Sequence, residues 1–222
     1  MYETTVQAPD STCSDIRQRL LNAAGEVFAE QGFKDATVRE ICKKAGANLA
    51  SVNYHFGGKE RLYSEVLRHA DQLSMEKHPP FVPDLAARPP EDQLAWFIRQ
   101  FLRRVFDTGR PTWHDRLISR EMVDPTPALA ELAERNIKPR ALALQAIVRA
   151  MLGEGAEEKA VQMCAASIVG QCLMYHRCRL VVEHLMPAIP LGSEDAVETL
   201  TNHITEFSIS AIRRMRDGEG RP

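Results

Sequence analysis

The sequence predicts an all-α protein, with an N-terminal three-helix head followed by a larger helical body. Three observations predict it. Apolar residues recur at helical rather than strand spacing, and no convincing strand pair appears. Caps and glycine stops punctuate the first quarter of the chain at short intervals. A proline-rich stretch, HPPFVPDLAARPP at 78–90, then separates these short elements from long helical patterns.

The elements follow in order. Ser14 is expected to cap a first helix whose inward face carries Ile16, Leu20, Ala23, Ala24, Val27 and Phe28, ending at Gly32. Thr37 opens a second helix, with Glu40 three residues on, which is the capping-box spacing. Val38, Ile41, Cys42 and Ala45 form its apolar stripe and Gly46 ends it. Asn48 caps a very short third helix, broken by Gly57-Gly58. A fourth runs from about Lys59 to Lys77. Beyond the prolines, helices are expected over about 91–107, 111–122, 127–152, 156–185 and 194–216. Pro139 should kink or split the third of these five, and MPAIPLG at 186–192 links the last two. The corresponding domains are a tail at 1–13, a head at 14–58, a connecting helix at 59–77, a body at 78–216 and a second tail at 217–222.

Composition narrows the function. Of 222 residues, 44% are hydrophobic, enough for a sizeable core. No apolar run approaches the roughly 20 residues a membrane span needs. The polar N-terminus lacks a signal pattern, which predicts a cytoplasmic protein with no membrane partner. Five cysteines without CxxC pairs read as free thiols. Net charge is −2, but residues 14–63 hold 8 Lys/Arg against 6 Asp/Glu, which permits nucleic-acid binding at that end. Signatures of common enzymes (G-x-S-x-G, HExxH, the P-loop, the dinucleotide fingerprint) are absent. His114 and Asp115 are adjacent on a helix and so do not face each other as an acid–base pair. No enzyme and no cofactor are expected.

The second and third helices, joined by Ala-Gly-Ala, form a helix-turn-helix. The third is too short to stand alone. Val52 and Phe56, four apart, should hold it to the other two, leaving Leu49, Ala50, Ser51, Asn53 and Tyr54 on a small-to-polar face. The block LLNAAGEVFAEQGFKDATVREICKKAGANLASVNYHFGGKERLYSEVL resembles the TetR-type repressor family over roughly 16–67. The variant NYHFGGKE and the later LISREMVDPTPAL are similar to its CecR-like subgroup.

The resemblance implies a homodimeric regulator that binds a double-stranded DNA operator and answers to a small-molecule effector. It implies phosphate contacts at Thr37 and Lys59, and backbone or base contacts at Tyr54 and His55. Leu49, Ala50, Ser51 and Asn53 become the major-groove readers, beside Asn48 and Arg39. Asn53 replaces the aromatic commoner in relatives and could read adenine through its carboxamide. Leu49 could meet a thymine methyl. Tyr63 reads as structural, His55 also as a helix-end cap, and Arg39, Lys43 and Lys44 equally as a solvated face.

In the body, the last two long helices are apolar around much of their girth. The resemblance pairs them with their copies in a dimer. Phe97, Phe101, Trp113 and Leu117 could line a pocket for a small apolar or amphipathic effector, with Met122, Met163, Gln171, Tyr175 and His176. Each is also a plausible core residue. Arg120, Glu121 and Asp124 fit either a salt-bridged corner or a polar pocket wall. Cys172 and His176 have zinc-ligand spacing, and with Cys164 and Cys178 they define an alternative metal- or thiol-responsive sensor. No second pair completes a tetrahedral metal set.

Overall fold

A computed structural model describes residues 11–107, 109, 111, 113–189, 191 and 194–218. No strand occurs among them. The helices are α1 (Ser11–Asp35), α2 (Val38–Ala45), α3 (Leu49–Phe56), α4 (Lys59–Lys77), α5 (Pro90–Val105), α6 (Trp113–Val123), α7 (Pro127–Leu132), α8 (Lys138–Leu152), α9 (Glu158–Arg177), α10 (Arg179–Leu185) and α11 (Glu194–Arg216).

The chain forms two compact units. The first comprises the described residues of 1–72 and 110–134, the second those of 73–109 and 135–222. The expected boundaries differ from this division, because α6 and α7 fold with the head rather than with the body.

The first unit buries Leu20, Leu21, Ala24 and Phe28 of α1 against Ile41 of α2, Val52 and Phe56 of α3, and Leu62, Tyr63 and Val66 of α4. Trp113 and Leu117 of α6 belong to this core. Gly25 explains how the indole reaches it. A Cβ there would lie 2.5 Å from Trp113 Cζ3, so only glycine leaves room. α1 starts at Ser11, placing Ser14 inside the helix rather than at its cap. Its regular geometry breaks at Gly32 (φ 85, ψ 173), the stop read from the sequence.

In the second unit, Leu94, Ile98 and Leu102 of α5 pack with Leu144 and Val148 of α8, Val161 and Ile168 of α9, and Leu200 and Ile204 of α11. Ion pairs fix α5 and α11 antiparallel: Arg99 and Arg103 reach Glu198 at 3.0 and 3.4 Å, and Arg213 reaches Glu91 at 3.3 Å. Thr201, Thr205 and Ser208, at i, i+4 and i+7 on α11, bury hydroxyls with no hydrogen-bond partner among the described residues.

Two long patterns break. The 127–152 pattern divides into α7, a π-turn (Ala133–Ile137) and α8, with Pro139 in the first turn of α8. Proline cannot donate to the carbonyl four residues back, and the wider π-turn accommodates that lost bond. The single helix expected over 156–185 is interrupted at Cys178 (φ −101, ψ 22). No glycine or proline marks that break in the sequence. The proline-rich 78–90 stretch holds one short 3₁₀ turn (Pro83–Ala87).

Candidate nucleic-acid interface

Local chemistry builds the helix-turn-helix. Thr37 Oγ1 accepts from the Glu40 amide at 3.2 Å, and Glu40 Oε2 accepts from the Thr37 amide and hydroxyl at 3.2 and 2.7 Å. This is a complete capping box. The Thr37 hydroxyl, then its amide, hold the Glu40 carboxyl below the usual carboxylate range. Gly46 adopts the left-handed conformation (φ 61, ψ 38) and closes α2. Two residues on, Asn48 Oδ1 accepts from the Ser51 amide at 2.8 Å and the Ser51 hydroxyl at 2.9 Å. Gly57 (φ 75) ends α3.

An eight-residue helix gains little from its own backbone. α3 is held by two buried residues on one face, Val52 and Phe56, with the Arg17 guanidinium 5.4 Å from the Phe56 ring centroid. The rest of its surface is largely bare. Tyr54 is 79% exposed and Leu49 54%, and Ala50 and Asn53 are exposed beside them. An apolar leucine and an aromatic ring thus both stand in water on this helix. His55 is half-buried, its ring edge-on to Tyr54 at 5.0 Å. Ser51 is half-buried and commits its hydroxyl proton to the Asn48 cap, leaving it an acceptor toward any ligand.

The basic residues divide. Arg39 and Lys43 are exposed, whereas Lys44 pairs with Glu26 at 2.6 Å. Lys59 donates to the Lys34 carbonyl at 3.2 Å, with its ammonium 4.8 Å from the Phe33 ring centroid. It therefore stands at the junction of α1 and α4, at the N-terminus of α4.

The corner residues Arg120, Glu121 and Asp124 lie within the first unit, and the salt-bridged alternative describes their contacts there. Tyr63 donates to Glu121 Oε2 at 2.6 Å, and Glu121 Oε1 accepts from the Thr126 amide and hydroxyl, both at 2.8 Å. Burial, then the Glu121 hydrogen bond, push the Tyr63 phenol far above its ordinary value. Lys34 pairs with Asp124 at 3.3 Å. Arg120 donates to the carbonyls of Glu30 and Gln31. Sequence reasoning missed Arg120 as a helix cap; the signal available was Gly32, which leaves helix-end carbonyls in need of donors.

The pocket candidates scatter. Trp113 and Leu117 are first-unit core. Met122 and Met163 lie at the surface, 46% and 60% exposed. Phe97 and Tyr175 are buried in the second core, with Phe101 packed against it and its ring 6.3 Å from Phe97. His176 is half-buried, edge-on to Phe106 at 6.0 Å, and half-buried Gln171 donates to the Ser167 carbonyl on its own helix. The sensor candidates fare no better. Burial pushes the Cys172 thiol up to about 12, and it also raises Cys164. Raised values disfavour the thiolate, the form that reacts with oxidants and binds metals. No group of three or more potential metal ligands occurs among the described residues.

Comparison with known proteins agrees with this geometry. Residues 20–66 match the model for bacterial regulatory proteins of the tetR family, and 90–212 match the C-terminal domain of the HTH-type transcriptional dual regulator CecR. The chain is 30% identical over 169 residues to CecR of Shigella flexneri, covering 72% of this chain and 74% of that one. It is 40% identical over 74 residues to the regulator SrpR of Pseudomonas putida, covering 32% of each. A solved Clostridium perfringens protein shares the fold at TM-score 0.65 and 18% identity, covering 86% of this chain and 97% of that one. A Rhodococcus sp. Rha1 transcriptional regulator does so at TM-score 0.58 and 23% identity, covering 88% and 95%. No described helix is long and apolar enough to cross a membrane. The matched head, the matched body and the exposed face of α3 agree: the chain belongs to the TetR family of transcriptional regulators, in its CecR-like group, and is not an enzyme.

Proposed function

We propose that the protein binds a near-palindromic DNA operator as a homodimer, acts as a repressor, and is released by a small apolar or amphipathic effector. The observation that carries this reading is the bare face of α3, with Leu49, Ala50, Asn53 and Tyr54 in water and Val52 and Phe56 anchored beneath. Asn53 would read adenine and Leu49 a thymine methyl. Thr37, Arg39 and Lys59 would meet phosphates, Lys59 by leaving the Lys34 carbonyl. His55 would orient Tyr54 through their ring contact.

The dimer reading is supported by the outward faces of α9 and α11. On α9, Met163, Ala166, Ser167, Gly170 and Met174 are exposed. Their spacing of three and four makes one stripe, and a Cβ on Gly170 would meet nothing within 4 Å. A small-residue stripe flanked by methionines suits close approach of a second helix. Phe207 of α11, 60% exposed, adds an aromatic anchor. Two α3 helices in a dimer would enter grooves about 34–36 Å apart, or a geometric equivalent. The effector reading rests on the aromatic row Phe81, Phe97 and Phe101 in the second unit.

Footprinting of the gene's own upstream region tests the proposal. Protection of a short inverted repeat at low salt, lost on adding salt, supports it. No protected site at low salt contradicts it.

A further inference from the structure

Past the break at Gly32, the last turn of α1 together with Ala36 and Thr37 leads into α2, and this segment (32–37) is gripped from two helices. The positive φ at Gly32 breaks the i→i−4 ladder of α1. Arg120 of α6 takes up the end of that ladder: Nη1 donates to the Glu30 carbonyl at 3.3 Å and Nη2 to the Gln31 carbonyl at 3.1 Å. Its cation therefore lies at the negative end of the α1 dipole. The fit is close. A Cβ on Gly32 would sit 2.6 Å from Arg120 Nε, so the glycine supplies both the turn and the space for the guanidinium. Further along, Asp124 of α6 pairs with Lys34 at 3.3 Å, and Lys59 of α4 donates to the Lys34 carbonyl at 3.2 Å. The Thr37 cap of α2 follows three residues later.

We propose that Arg120 is a positioning residue for DNA recognition: by capping α1 at Gly32 it fixes the direction in which the chain enters α2 and α3. The inference rests on the DNA-binding reading above. Arg120 need touch no DNA. Lysine at this place would keep the charge but lose the planar fork that serves two adjacent carbonyls at once.

The test compares full-length wild type, Arg120→Ala, Arg120→Lys and Asp124→Asn. Each is assayed on the footprinted operator, on unrelated DNA of equal length, and by thermal melting. Arg120→Ala is expected to weaken operator binding about tenfold, equivalent to about 1.4 kcal/mol, while binding to unrelated DNA stays within about twofold. Arg120→Lys should recover less than half of that loss on a logarithmic scale, and Asp124→Asn should show a smaller loss of the same kind. A merely structural role would lower melting and both kinds of DNA binding together. That pattern, or operator affinity unchanged in Arg120→Ala, overturns the inference while leaving the DNA-binding reading in place. Failure of wild type to bind any operator overturns both.

Discussion

The Tyr63 hydroxyl donates to Glu121 Oε2 at 2.6 Å, joining α4 to α6 where the Glu121 side chain is fully buried. The other carboxylate oxygen caps α7 through Thr126. A buried carboxylate is tolerable only while its donors are present. Tyr63→Phe should therefore destabilise the protein by about 1–3 kcal/mol, more than an exposed tyrosine would. Urea midpoints of Tyr63→Phe, Glu121→Gln and the double variant check this. Coupling between the two substitutions is expected; simple additivity would show that the bond contributes nothing.

Much of the head was legible from residues with strong local rules. Thr37 with Glu40, Gly46, Asn48 and Gly57 each perform the cap or turn their chemistry predicts. Val52 and Phe56 are buried, and Tyr63 is structural. Tertiary partnerships were not legible. Nothing local tells Trp113 to join the core of α1 to α4, or Glu121 to seek Tyr63 across 58 positions. The pocket candidates divide between the two cores and the surface for the same reason: methionine and aromatic residues at helical spacing look alike in a core, on an interface or at a cavity wall. The Cys178 break also lacked a signal, because it uses neither glycine nor proline.

Gly25 offers a second prediction, against intrinsic propensity. In an open helix, Gly→Ala gains up to about 1 kcal/mol. Here the added methyl would meet the Trp113 ring at 2.5 Å. Gly25→Ala should destabilise by about 1–3 kcal/mol, the usual range for overpacking. Thermal melting of Gly25→Ala, alone and with Trp113→Leu, checks it, since the smaller side chain should relieve the added loss.

The buried hydroxyls of α11 should behave in the opposite sense. Thr201 is fully buried and its hydroxyl has no partner among the described residues. Thr201→Val keeps the shape and removes an unsatisfied group, so stability should hold or rise by about 1 kcal/mol. Ser208→Ala should act likewise. A clear loss in calorimetry would reveal a partner for the hydroxyl.

Acid should loosen the first unit through Glu65. Arg68, first by hydrogen bond and then by charge, with help from Arg17 at 2.6 Å, holds its carboxyl below the usual carboxylate range. A depressed folded value means the contribution is complete above the ordinary carboxylate range and disappears as pH falls through the lowered value. The urea midpoint of wild type should thus fall more steeply below about pH 5 than that of Glu65→Gln, since ordinary carboxylates titrate near there. Parallel curves would contradict the assignment.

The central claim is that the exposed face of α3 reads DNA while its buried face only holds the helix in place. Fluorescence anisotropy on the footprinted operator tests it most directly, comparing wild type with Leu49→Ala/Asn53→Ala/Tyr54→Ala at several salt concentrations. The account predicts that the triple variant melts like wild type, because all three side chains are exposed. Its operator affinity should collapse to the level of unrelated DNA, with salt-dependent non-specific binding retained. A triple variant that still prefers the operator as strongly as wild type would contradict it.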